Sequence, residues 1–163
     1  MKIEWGSQIS IDEWLADSPI SGEGESYKIK KPIRLLELFS GIGCQISALK
    51  RLDYPFEGYR TSEWDTQAIE MYNAMHVKDY TDYSENKSIE ELVNWLDEKG
   101  CSLDGKSPLA KDKITRKGEK WIRRTYNNYI ATHKIGSIVN AKGVDLGINE
   151  SDKYTYILTY SFP

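Results

Sequence analysis

Ile33-Arg-Leu-Leu-Glu-Leu-Phe39 is a short apolar run that passes at once into Ser40-Gly-Ile-Gly43 and then into a helical pattern through Ile46, Leu49 and Leu52. That order restricts the fold more than any other stretch of the chain. A brief apolar run closed by glycines suits a strand covered on both faces. The glycines let the chain turn tightly and bring backbone N–H groups to a helix N-terminus. A second, less apolar strand is expected around Glu57–Ser62. A helix over Asp65–His76 follows, with Ala68, Ile69 and Tyr72 at helical spacing. Strand, helix, strand, helix in this order argues for an α/β fold with a parallel sheet.

Residues 77–134 interrupt the alternation. Ser88-Ile-Glu-Glu91 is a capping-box pattern, Ile89, Leu92, Val93 and Leu96 share one helical face, and Gly100 fits the C-terminal stop. A loop over Cys101–Pro108 leads to a basic segment. Between Lys111 and Arg124, seven lysines and arginines face two acids, Asp112 and Glu119. Such a run either brushes DNA phosphates or is a solvated helix face. The next helix carries Trp121, Ile122, Tyr126, Tyr129 and Ile130. The alternation then resumes with a short strand at Ser137–Asn140, a loop at Gly143–Gly147 and a last, buried strand at Tyr154–Tyr160. Residues 1–32 read as an N-terminal extension, in which Ser10-Ile-Asp-Glu13 opens a short helix through Trp14 and Leu15 before the loop Ser18–Ser26. The expected organisation is extension 1–32, then a domain over 33–163 with a helical insertion at 77–134.

Bulk properties narrow the function classes. A length of 163 residues suits one domain, and 39% hydrophobic with 29% charged residues describes an ordinary soluble protein. No apolar run approaches the ~20 residues of a membrane helix. Met1–Gln8 has no signal-peptide core, so a cytoplasmic location is expected. The net charge of −3 is unlike a self-sufficient DNA-binding domain, so most of any DNA surface is expected elsewhere. Cys44 and Cys101, with the distant His76 and His133, fit neither a disulfide framework nor zinc spacing, and no metal site is expected.

The glycine loop points to a nucleoside ligand when read with Glu63 and Trp64. A dinucleotide fold would want a third glycine three places after Gly43, where this chain has Ile46, which argues against NAD or FAD. Twenty residues after Gly43 stands Glu63, at the end of the second strand. An acid there either accepts both hydroxyls of a ribose or serves as a helix-N-terminal acid. Trp64 either stacks on an adenine face or belongs to the core.

Leu38-Phe-Ser-Gly-Ile-Gly43 resembles the first motif of cytosine-5 DNA methyltransferases, and Ser62-Glu-Trp-Asp-Thr-Gln-Ala-Ile-Glu-Met-Tyr72 resembles the second. Gly143-Val-Asp-Leu146 is similar to the third, and Ile157-Leu-Thr-Tyr-Ser-Phe-Pro163 to the approach to the family's Pro-Cys-Gln. The four segments come in family order. The resemblance implies a partial Rossmann-like fold, the N-terminal half of the parallel sheet, that binds S-adenosylmethionine. It implies that Phe39 packs on the adenine edge and that Gly41, Ile42 and Gly43 line the methionine part. It further implies that Glu63 holds the ribose, Trp64 stacks on adenine, Asp145 and Leu146 fix the adenine amino edge, and Pro163 sits near the sulfonium. Two positions depart from the family pattern. Glu37 stands where an aspartate is common, and Cys44 where a third glycine is common.

The family reaction needs a cysteine thiolate that attacks a flipped cytosine. Neither Cys44 nor Cys101 is in the expected place after Pro163, so no catalytic residue is expected among these 163 residues. The expectation is an S-adenosylmethionine-binding fragment of a bacterial or phage restriction–modification enzyme, incompetent alone. The alternatives are a non-catalytic binding module or one subunit of a split enzyme. The expected partners are DNA, through the complete enzyme, and a C-terminal-half chain or a second copy along strand 154–160.

Overall fold

The computed structural model describes residues 29–52 and 54–160. Its centre is β1 (Ile33–Leu38), which pairs in parallel with β2 (Phe56–Ser62) on one side and β3 (Thr155–Tyr160) on the other. Ile33, Leu35 and Leu36 are almost wholly buried, as a continuous apolar run in a central parallel strand requires. The register against β2 shifts between Leu35 and Leu36, where Tyr59 is an extra residue on β2. Arg34 pins the N-terminal end of the sheet. Its guanidinium lies 4.2 Å above the Tyr59 ring and 3.6 Å from that of Tyr154, and it pairs with Glu57 at 3.0 Å and Glu150 at 2.6 Å.

The last strand forms where expected but is not a covered interior strand. Among the described residues β3 pairs only with β1, and Leu158 and Tyr160 are exposed. The second expected helix is also shorter. α1 (Cys44–Lys50) and α2 (Thr66–Tyr72) flank the sheet, and α2 passes into a π-helical turn at Asn73–Val77 that Lys78 closes in the left-handed region. Asp65 caps α2, accepting from the Gln67 amide at 2.8 Å. Leu35, Ile46 and Tyr72 form the sheet-side core with Leu49, Phe56 and Ile157 against them.

The insertion folds as a three-helix layer over α2. The Ser88 capping box is present in full at the start of α3 (Ile89–Lys99), and Gly100 ends it at φ 67°. The basic segment becomes α4 (Lys111–Thr115) and the first part of α5 (Glu119–Ala131), with Gly118 at the break. Leu92, Val93, Leu96, Ile114, Ile122, Tyr126 and Tyr129 bury themselves against Ile69 of α2. The Trp95 ring meets those of Tyr126 and Tyr129 edge-on at 4.9 and 5.6 Å, an arrangement the ring quadrupoles favour.

Beyond α5 the chain returns to the sheet earlier than expected. Lys134 bridges Thr61 in parallel fashion: the Ile135 amide donates to the Thr61 carbonyl at 2.9 Å. Residues 138–140 are a turn rather than the strand expected at Ser137–Asn140. The cause is Gly136, at φ 92°, which swings the chain off the sheet so close to Lys99 that a Cβ there would lie 2.5 Å from its carbonyl oxygen. Gly143–Leu146, read as loop, is a 3-10 turn. The N-terminal helix expected at Ser10–Leu15 and Pro163 lie outside the described residues. Leu96 has no exposed surface, so Leu96→Ala is expected to lower stability by about 2–5 kcal/mol, read by urea unfolding; a loss under about 1 kcal/mol would mean the insertion is not part of the same cooperative unit.

Candidate functional site

A cleft of about 450 Å³ opens at the C-terminal ends of β1 and β2. Phe39 and Gly41 form one wall, Ser62, Glu63, Trp64, Asp65 and Ala68 the floor, and Ser137, Ile138 and Val139 the other wall. In the strand order β2-β1-β3 the winding reverses between β1 and β3, one strand over from this cleft. Like other ligand sites of open α/β sheets, the cleft lies outside the carboxyl ends of parallel strands.

Glu63 organises the floor. Its Oε2 accepts from the Gly41 amide at 2.8 Å, and its Oε1 accepts from the Trp64 and Asp65 amides at 2.8 and 2.9 Å. A carboxylate has about four acceptor sites, so one remains for a ligand. The same contacts tie the glycine loop to the start of α2. The loop bends sharply: Phe39 sits at φ 56° and Gly41 at φ 50°. For a bulky residue such as Phe39 that backbone is strained, at a cost of about 1–3 kcal/mol.

The two glycines of the loop are there for different reasons. A Cβ on Gly41 would meet nothing within 4 Å, so the position leaves open space. A Cβ on Gly43 would lie 2.6 Å from His76 Nε2 and 2.8 Å from Tyr72 Cε2. Gly43 is therefore required by packing against the end of α2. As the N-cap of α1 it has no side chain to offer, and Glu37 does the capping instead, its Oε1 accepting from the Ile46 amide at 3.1 Å.

Glu37 belongs to a buried polar cluster beneath the loop. It has no exposed surface, and its Oε2 accepts from the Tyr72 hydroxyl at 2.6 Å. Burial and the neighbouring Glu37 push the Tyr72 phenol up. Lys134 is buried above the Tyr72 ring, 3.6 Å from its centroid, and donates to Ser40 Oγ at 2.6 Å. Burial brings the Lys134 amine down to about 7, against the pull of Glu37 and Glu63.

No family model matches the chain. Over 138 residues it is 33% identical to M.SssI, an orphan methyltransferase of Spiroplasma monobiae, an alignment that covers 82% of the chain. The chain belongs to the cytosine-5 DNA methyltransferase family. The match covers 34% of the length of that relative. The parallel three-stranded sheet with its flanking helices is accordingly a partial Rossmann-like methyltransferase fold.

In this methyltransferase-family chain the expected site residues fall into three places. Phe39, Gly41, Glu63 and Trp64 share the cleft. Ile42 and Gly43 line a separate groove of about 320 Å³, with Cys44, Ser47, Arg51 and Met75. Asp145 and Leu146 stand in the 3-10 turn and do not line the cleft; the Asp145 carboxylate accepts from the Lys142 amide at 2.7 Å. The cleft is lined on its far side by Ser137, Ile138 and Val139, next to the bond from Ser62 Oγ to the Gly136 carbonyl at 3.0 Å. The sequence did carry a signal for them. That signal is Gly136 with the small Ser137 and the apolar pair Ile138-Val139 directly after it. Lys134 had no such signal, since it meets Ser40 across 94 residues.

The cysteines and the basic run take their own positions. Cys44 is exposed in the second groove. Cys101 is buried, and burial together with Asp97 pushes its thiol up to about 11. Neither lines the cleft. Arg116 pairs with Asp112 and Arg123 with Glu119, both at 2.8 Å, and Arg124 meets Glu70 at 3.5 Å. These local pairs fit the solvated helix face.

Gly43→Ala is expected to cost about 1–3 kcal/mol more stability than Gly41→Ala, because only the former drives a methyl into packed rings; equal losses in urea unfolding would contradict the assignment. The Lys134 amine titrates lower in the folded chain than the ~10.4 of a free lysine. Between those values the unfolded chain holds a proton that the folded one has released, so this group makes stability rise with pH from about 7 upward. Chemical denaturation at pH 7 and pH 9.5 is expected to show that rise, and Lys134→Met to reduce it.

Proposed function

We propose that the chain is the S-adenosylmethionine-binding part of a DNA (cytosine-5) methyltransferase from a bacterial or phage modification system, working in the cytoplasm. The supporting observation is the joining of Phe39, Gly41, Glu63 and Trp64 in one cleft at the carboxyl ends of β1 and β2 in a chain from this family. The residues present suit a nucleoside. Glu63 has an acceptor site left for a ribose hydroxyl, and Phe39 and Trp64 present aromatic faces to a flat base. Gly41 leaves space beside them. Ser137, Ile138 and Val139 take the adenine-edge role that the resemblance gave to Asp145 and Leu146. When bound, the cofactor would supply a methyl group on a cationic sulfonium, and the carboxylates and aromatic faces of the cleft suit a cation.

The chemistry at cytosine is assigned to residues other than these. Cys101 is buried with a raised thiol and Cys44 faces the second groove, so the reading gives neither the role of nucleophile and expects no DNA methylation by these residues alone. DNA is the substrate of the complete enzyme in this reading. Among the described residues β3 has no further strand beside it and exposes Leu158 and Tyr160. Such edges recruit other chains.

Calorimetry with S-adenosylmethionine tests the cofactor assignment. Binding is expected for the unaltered chain, with a loss of tenfold or more for Glu63→Gln and a change within twofold for Asp145→Asn. Absence of heat at millimolar ligand would overturn the assignment. Light scattering at high concentration is expected to show association beyond the monomer, abolished by a charge at the β3 edge, Leu158→Lys; a monodisperse monomer contradicts the edge role.

A further inference from the structure

Lys134 connects the two walls of the cleft from below. It follows α5 directly, where its amide donates to the Tyr129 carbonyl at 3.0 Å and its backbone bridges Thr61. Two residues later Gly136 accepts from Ser62, and Ser137–Val139 form the far wall. The Lys134 side chain runs the other way, into the interior, to Ser40 Oγ at 2.6 Å. Ser40 lies between Phe39 and Gly41, which form the near wall. One hydrogen bond thus spans from the segment that carries the far wall to the loop that makes the near one.

We propose that Lys134 is a positioning residue that sets the spacing between the two walls and holds the glycine loop in the form that accepts an S-adenosyl nucleoside; this rests on the cofactor reading above. A buried amine is an expensive way to fill space, and neutral side chains would serve packing alone better. The neighbouring carboxylates do not explain it by direct contact. Glu37 accepts from the Ile46 amide and the Tyr72 hydroxyl and Glu63 from three backbone amides, while the Lys134 amine donates to Ser40. They supply charge balance, while Ser40 is the directed partner. The groups that face the amine are Glu37 from β1, Ser40 from the loop, Glu63 from the end of β2 and the Tyr72 ring from α2. Arg60 and His133 share with Lys134 a groove on the outer side of β2.

The test uses the 163-residue chain with Lys134→Met and, as a variant that keeps every buried charge, Ser40→Ala. Amide hydrogen exchange in the absence of ligand reads the loop directly. Exchange at Gly41 and Ile42 is expected to rise tenfold or more in both variants, with α3 and α5 unchanged. Calorimetry with S-adenosylhomocysteine between pH 6 and pH 9 reads the site. The dissociation constant is expected to rise tenfold or more in Lys134→Met at pH 6, and the ratio to the unaltered chain to shrink toward pH 9. Taking that ratio at each pH cancels titration of the ligand's own amino group, and a purely structural filler would leave it flat. Faster loop exchange in a chain that binds no S-adenosylhomocysteine would overturn the cofactor reading and keep the tie between the walls. Unchanged loop exchange in Ser40→Ala, or dissociation constants equal within twofold at every pH, overturns the proposal.

Discussion

Glu37 cannot reach water, and much of the molecule is arranged around that fact. A carboxylate without solvent must find donors inside the protein, and Glu37 finds one on each of two helices. The Ile46 amide orients α1, and the Tyr72 hydroxyl holds α2 against the same strand. Because the carboxylate sits on the central strand, both helices are referenced to β1. Glu63 repeats the device one strand over, where it binds the glycine loop to the start of α2. Lys134 lies within the field of both and donates to Ser40 of the glycine loop. The cleft is the space left above this cluster.

That arrangement gives the helical insertion a role beyond filling. Its apolar core rests on Ile69 of α2, so it stiffens the helix whose first turn carries the floor of the cleft. Its last residues then deliver Lys134 under the floor and Ser137–Val139 to the far wall. An insertion of this length, placed between the second strand and its neighbour, is therefore part of the site's frame. On the basic surface of α4 and α5, Arg116 and Arg123 are held by ion pairs within their own helices and Arg124 by Glu70 of α2.

Much of this was legible in the sequence because local rules and tertiary demands agree there. The run Ile33–Phe39, the Ser88 capping box and the Gly100 stop each satisfy a short-range requirement that the fold keeps. Glu63 and Trp64 were legible because their distance from the glycine loop is set by one helix and one strand. The misplaced elements share a physical cause. In place of the strand expected at Ser137–Asn140 the chain makes a single bridge earlier, at Lys134, because Gly136 leaves the sheet to pass close to Lys99, a contact between distant segments. Asp145 was picked out by a local motif, and the structure sets it in a 3-10 turn outside the cleft, where its carboxylate accepts from the Lys142 amide. The Lys134–Ser40 bond joins two elements far apart in the chain and leaves no local pattern. Gly43 was read as part of the ligand loop, and in the structure it also packs against the rings of Tyr72 and His76.

In the proposed function the cleft between Phe39, Glu63 and Ser137 receives the nucleoside of S-adenosylmethionine. The most direct measurement is a backbone amide NMR titration with S-adenosylhomocysteine. Saturable shifts at Phe39–Ile42, Ser62–Asp65 and Ser137–Val139, with Asp145 and Leu146 unmoved, are the result this account expects. Shifts centred on Asp145 and Leu146, or none at Glu63 and Trp64, would contradict it.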